Sequence, residues 1–183
     1  MIGPRHVLTA AHCFFSRNGT DLGMNYYDVI VGEHTLSDDT DGMVKTVCSR
    51  SLHPDWNGAT TEYDFAILGL SEDAGIGERV LPVCLPSADL GGSVLDDKTM
   101  TVSGWGATTA DASGSTDVLL KVDVPGISNA VCQEKYADYG ENAITDSMMC
   151  AANLDSGGVD ACPGDSGGML YVTSIDINFY ILI

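Results

Sequence analysis

The chain reads as all-β, built from two successive β units. Three observations point there. Short apolar or alternating runs recur between turn signals, helical periodicity is weak, and a stretch marked by prolines and a glycine pair divides the chain near its middle. The runs HVLTAA, YYDVIVGE, MVKTVCS and DFAILGL precede that stretch, and KTMTVSGWG, VLLKVDVPG and GGMLYV follow it. They are rich in Val, Ile, Thr and Tyr, which fit a pleated, half-buried surface. Many short strands at fairly regular spacing predict a barrel or a sandwich. VLPVCLPSADLGGS supplies the linker, so the expected organisation is 1–80, a linker at 81–93, and 94–183. One short helix is expected at 128–138, in SNAVCQEKYAD, with Ser128 as its N-cap. The tail SIDINFYILI alternates Ile175, Ile177, Phe179 and Ile181, which is strand-like.

Composition narrows the function classes. At 183 residues and 44% apolar content, the chain can build a real core. Eight basic against 26 acidic residues give a net charge of −18, which phosphate backbones would repel; this argues against nucleic acid, and none is expected as a partner. No apolar run approaches the length of a membrane span. Cysteines at 13, 48, 84, 132, 150 and 162 are dispersed without CxxC spacing, which disfavours a zinc ribbon and suggests an oxidising compartment. Asn18-Gly19-Thr20 is a glycosylation acceptor, usable only on the secretory route. The first 13 residues contain no long apolar segment of the signal-peptide kind.

The stretch DACPGDSGG, Asp160 to Gly168, sets Ser166 between an acid and two glycines. Such a stretch is either a polar turn or a nucleophile loop. A serine nucleophile needs a base, and the base needs an orienting acid. His12 in VLTAAHC follows an apolar run that ends in small residues. Asp64 in EYDFAIL stands at the mouth of an apolar strand, where a poorly solvated carboxylate wants a donor. Taken singly, each has a purely structural explanation. GDSGG also fits G-x-S-x-G, but that hydrolase class needs a histidine after the serine. The 17 residues after Ser166 contain none. An Asp-His-Ser order would need Asp21 or Asp28 before His34 or His53, and none of these stands in a matching context.

With TAAHC, DFAIL and GDSGG in that order, the chain resembles the trypsin-like serine proteases. VGEH, HPDW, PVCLP, SGWG, SNAVC and MMCAA match as well, so the likeness runs from about His6 to Val172. The resemblance implies two antiparallel six-stranded Greek-key barrels, both incomplete here. It implies a serine endopeptidase in which Ser166 attacks, His12 transfers the proton and Asp64 orients the imidazole. The N–H groups of Gly164 and Ser166 would form the oxyanion hole. Asp160 would sit at the floor of the specificity pocket, in a low-dielectric slot that selects Arg or Lys. Asp165 would be the acid that meets an ammonium at activation. Cys132–Cys150 matches a family disulfide, and Cys48 and Cys84 are a second candidate pair.

The resemblance further implies a secreted monomer with protein or peptide substrates and protein protease inhibitors as partners, and no required cofactor. In VGEHTLSDDTDG, Glu33, Asp38 and Asp41 are candidate ligands for a structural calcium, although a solvated charge run explains them better. The pattern departs at both ends. Met1 lies only eleven residues before His12, the tail after Val172 matches nothing in the family, and Cys13 and Cys162 lack recognisable partners. The expectation is therefore a fragment whose Asp165 points outward and whose activity is poor. The alternative is a non-catalytic homologue serving as a binding module, or a gene-model fragment.

Overall fold

A computed structural model describes the chain except for residues 25, 87–94, 97, 110–113, 141–142, 156, 159, 174–177 and 183. Its strands form two antiparallel sheets. The first takes β1 (His6–Thr9), β2 (Asp28–Val31), β3 (Met43–Leu52) and β4 (Ala66–Leu70) in the order β1-β4-β3-β2. The second takes β5 (Thr99–Gly104), β6 (Leu120–Ile127), β7 (Cys150–Ala151), β8 (Met169–Thr173) and β9 (Asn178–Leu182) in the order β7-β6-β5-β8-β9. The protein is thus all-β, with each predicted six-stranded barrel present as a curled half-barrel of four or five strands. Of the nine strands among the described residues, seven fall on the predicted runs and β9 falls on the strand-like tail. The expected linker lies mostly outside the described residues, as does the first half of the tail.

The period-two pattern is plainest in β4. Ala66, Leu68 and Leu70 are buried, whereas Ile67 between them faces outward. Ala66 and Leu68 pack with Ala11 and Phe14, and Leu70 packs with Val31, Ala74 and Val80. In the second sheet Met100, Val102, Val124, Leu170 and Val172 form one cluster. Met100 is fully enclosed. Thr101 is buried between two of these residues and remains satisfied because its hydroxyl donates to Asp123 at 2.6 Å.

Helix α1 (Asn129–Lys135) begins at Ser128, whose Oγ accepts the Val131 N–H, and a 3-10 turn follows at Ala137–Tyr139. The predicted helix is therefore split in two. A disulfide joins Cys132 on α1 to Cys150 on β7. Cys48 and Cys84 do not pair, and both thiols are exposed and free. Cys48 sits at the bulge in β3, whereas Val83 beside Cys84 is tied to Met1, ahead of β1. Strand β4 lies between β1 and β3. One intervening strand separates its two neighbours by about 10 Å, beyond the reach of a disulfide. Cys13 and Cys162 are also free, as expected.

The sheets are joined by a clasp between residues 34–37 and 117–119. Leu119 N–H donates to the His34 carbonyl, Leu36 N–H donates to the Asp117 carbonyl, and Ser37 Oγ donates to Asp117 Oδ2 at 2.9 Å. Trp105 Nε1 also donates to the His34 carbonyl. No helix among the described residues is long and apolar enough to cross a membrane.

Candidate active site

Strand β1 runs into Ala10 and Ala11, both buried, and then into a 3-10 turn at His12–Phe14. Ala11 packs there against Phe14, Ala66 and Leu68. Phe14 anchors the turn. It meets Tyr27 edge-on at 4.8 Å, and the Arg50 guanidinium lies 5.0 Å from its ring centroid. Tyr27 also donates its hydroxyl to the Cys13 carbonyl at 2.6 Å. Arg50 is in turn held by both oxygens of Asp21, which keeps the Asp21 carboxyl down at about 2. The turn is thus clamped on either side of Cys13, and His12 stands on it half-exposed.

Asp64 reaches His12 from the entrance to β4. Its Oδ1 accepts the His12 backbone N–H at 2.7 Å, and its Oδ2 lies 2.5 Å from His12 Nδ1. A carboxylate oxygen so placed accepts from Nδ1, so in the neutral imidazole Nε2 keeps its lone pair. The backbone around this acid is strained. Thr61 and Tyr63 have φ of 57° and 53°, and Phe65 N–H folds back to the Tyr63 carbonyl. His53 stacks on Tyr63 with centroids 4.9 Å apart, backing the strained segment.

The Ser166 loop consists of two successive turns, closed by Asp165 N–H to the Cys162 carbonyl and Gly168 N–H to the Asp165 carbonyl. Gly164 at φ 103° and Gly167 at φ 80° occupy conformations that side chains resist. The loop docks on the histidine turn. Thr9 Oγ1 donates to the Gly167 carbonyl, and a Cβ on Gly167 would lie 2.6 Å from Thr9 Oγ1. The Cys13 thiol lies 3.7 Å from the Ser166 carbonyl and 3.8 Å from His12 Nε2. Burial and the Asp64 charge push this thiol's pKa up. Ser166 is exposed, and among the described residues its hydroxyl makes no hydrogen bond, including to His12. Unliganded sites often show such loose geometry, which tightens on substrate binding. The N–H groups of Gly164 and Ser166 likewise find no acceptor among the described residues.

Asp165 does not point outward. It is half-buried, with Oδ1 accepting the Gly106 N–H at 2.8 Å and Oδ2 accepting the Cys162 N–H at 2.9 Å. Two fixed backbone donors satisfy the carboxylate without any ammonium, and this removes the penalty expected to keep it outside. Gly104 and Gly106 make room for it, because a Cβ on either would lie within 2.5 Å of its carboxyl atoms. Asp165 and Asp160 both line a cavity of about 560 Å³ that also borders Val102, Gly104 and Cys162. Asp160 is exposed rather than enclosed in a slot, and it caps the neighbouring Ala161 N–H.

The three calcium candidates do not meet at one point. Glu33 shares a hydrogen bond with Asp41, which raises the Glu33 pKa and lowers that of Asp41. Asp38 instead bonds Thr40 within its own turn. Among the described residues no three acidic, histidine or cysteine side chains are grouped to hold a metal. Thr9 and the Arg50–Phe14–Tyr27 clamp carry no signal in their local sequence. Their partners lie far along the chain, 158 residues away for Thr9.

A family model described as Trypsin matches residues 1–175. The chain is 38% identical, over 93% of its length, to the venom serine protease Bi-VSP of Bombus ignitus, of which it covers 46%. It is 35% identical to the proclotting enzyme of Tachypleus tridentatus over its whole length and 48% of that protein. It is also 35% identical to trypsin 5G1 of Aedes aegypti, over 93% of this chain and 59% of that one. The chain spans about half the length of these curated relatives. With the order of its motifs and its paired antiparallel half-barrels, the chain belongs to the trypsin family.

Proposed function

We propose that this chain carries the catalytic centre of a secreted serine endopeptidase that cleaves peptide bonds after Arg or Lys. The observation that carries the reading is the two-point grip of Asp64 on His12, on the same turn that receives the Ser166 loop. Asp64 fixes the imidazole so that Nε2 faces the cleft as a base. Nε2 takes the Ser166 hydroxyl proton as Oγ attacks the scissile carbonyl. The oxyanion is received by the Gly164 and Ser166 N–H groups, which have no competing protein acceptor among the described residues. Nε2 then protonates the leaving amine, and water releases the acyl group by the same route.

Asp160 supplies the negative charge for a basic P1 side chain, through charge-assisted hydrogen bonds. Asp165 holds the Cys162–Asp165 turn that presents the Gly164 N–H. A primary ammonium entering the adjacent cavity would reinforce that hold. The Cys132–Cys150 disulfide and the family membership both favour an extracellular setting. Protein protease inhibitors would bind the same cleft.

A fluorophosphonate probe, with arginyl and phenylalanyl amide substrates run side by side, tests the reading. The expected result is labelling of Ser166, its loss in Ser166→Ala, and preferential hydrolysis of the arginyl amide. Absence of both labelling and hydrolysis would instead favour a non-catalytic homologue. A preference for the phenylalanyl amide would overturn the role of Asp160.

A further inference from the structure

We propose that Asn18 accepts an N-linked oligosaccharide, and that this sugar shields the Arg17–Asn18 peptide bond from arginine-specific proteolysis. The inference rests on the secreted reading of the chain and not on its catalysis. Arg17, Asn18, Gly19 and Thr20 are all exposed on a closed turn that leaves the histidine-bearing segment. Ser16 N–H donates to the Thr20 carbonyl, Gly19 N–H donates to the Ser16 carbonyl, and Phe15 bridges Asp21. Gly19 has φ 78°, and a Cβ there would meet nothing within 4 Å, so the tip is open to solvent on that side.

The acceptor chemistry is laid out within this turn. Asn18 Oδ1 accepts the Thr20 hydroxyl at 2.9 Å and also the Ser16 hydroxyl. The Thr20 backbone N–H points at the same oxygen, at 3.4 Å. These donors hold Oδ1 within the turn, while Nδ2 makes no hydrogen bond among the described residues. In the modification, the Nδ2–C1 bond forms as the C1–O bond to the diphosphate of a lipid-linked oligosaccharide breaks. The diphosphate leaves with that electron pair, and Nδ2 gives one proton to a base of the transferase. The Cys132–Cys150 disulfide is the independent pointer to the compartment where that donor is present.

The consequence concerns Arg17. It forms no ion pair among the described residues and stands at an exposed turn, the kind of place where proteolytic nicking concentrates. A protease cutting after Arg17 must seat Asn18 directly on the leaving side of the scissile bond. An oligosaccharide on Nδ2 would fill that space. A secreted protease with this specificity meets such a hazard from other copies of itself.

The test expresses the chain behind a secretory leader in insect cells and reads the Asn18 peptide by mass spectrometry, from both the medium and the membrane fraction. The expected result is a hexose- and N-acetylhexosamine-containing mass on that peptide. It should be lost in Asn18→Gln and Thr20→Ala and kept in Thr20→Ser. Folded protein is then exposed to added trypsin. Both variants lacking the sugar should be nicked at Arg17 at least tenfold faster than the parent, with Thr20→Ser behaving as the parent. An unmodified Asn18 in both fractions overturns the proposal. Equal nicking rates with the sugar present and absent overturn the shielding role.

Discussion

Replacing Asp165 by Asn keeps the shape of the side chain but removes one acceptor. The carboxylate now receives Gly106 N–H at 2.8 Å and Cys162 N–H at 2.9 Å, one on each oxygen. In Asp165→Asn one of these donors faces an amide NH2 and is left unsatisfied, at about 1–3 kcal/mol. The other bond changes from charged to neutral, at about 1 kcal/mol. The sum, about 2–4 kcal/mol, converts to a fall in Tm of about 4–16 °C for a domain of this size. The turn holding the Gly164 N–H loosens at the same time, and if Gly164 serves as the proposed oxyanion donor its loss costs about 10²–10³ in kcat. Differential scanning calorimetry and amide hydrolysis read the two effects separately. Gly106→Ala is the companion variant, because its Cβ would lie 2.5 Å from Asp165 Cγ and evict the carboxylate. The double variant should lose much less than the sum of the two, since both break one contact. An unchanged Tm in Asp165→Asn, or full additivity, would refute the account of this acid as a two-donor anchor.

Three further outcomes follow from the same geometry. Asp21 is depressed from 3.8 to about 2 by Arg50, so its contribution to stability is complete above pH 3.8 and is lost as pH falls toward 2. Acid titration of Tm should show this loss in the parent, and Asp21→Asn should remove that segment of the curve. Replacing both Cys132 and Cys150 by Ser opens a loop of 18 residues and should cost about 3 kcal/mol in urea denaturation. Thr61→Gly relieves a β-branched residue at φ 57° and should raise stability by about 1 kcal/mol; a loss would show that this conformation carries no strain.

What the sequence disclosed depended on how local the determinant was. Strand β4 was legible because burial alternates within five consecutive residues, and the order of His12, Asp64 and Ser166 because each sits in its own short motif. The start of α1 was legible from Ser128, but its end was not. The chain tightens into a 3-10 turn at Ala137–Tyr139 that no residue in the stretch announces. Pairing Cys48 with Cys84 failed for the opposite reason. Sequence offers the two thiols but not the strand order that sets β4 between β1 and β3.

Asp165 shows most clearly where local reading stops. Its identity is plain from GDSGG, but its direction is not, because a carboxylate can be held inward without a cationic partner. The partner that decides the matter is a backbone N–H at Gly106, 59 residues earlier and just past the end of β5, where Gly104 and Gly106 leave the space open. A buried carboxylate asks for donors, and a backbone amide is one that every residue except proline carries, so nothing in the sequence marks it. What the sequence does mark is the missing Cβ. Gly104 and Gly106 flank Trp105 where any larger side chain would strike the carboxylate, so the vacancy in SGWG is the local trace of the distant acid. The shape of the Ser166 loop is thus written in two glycines of β5 and the segment after it as much as in the loop itself.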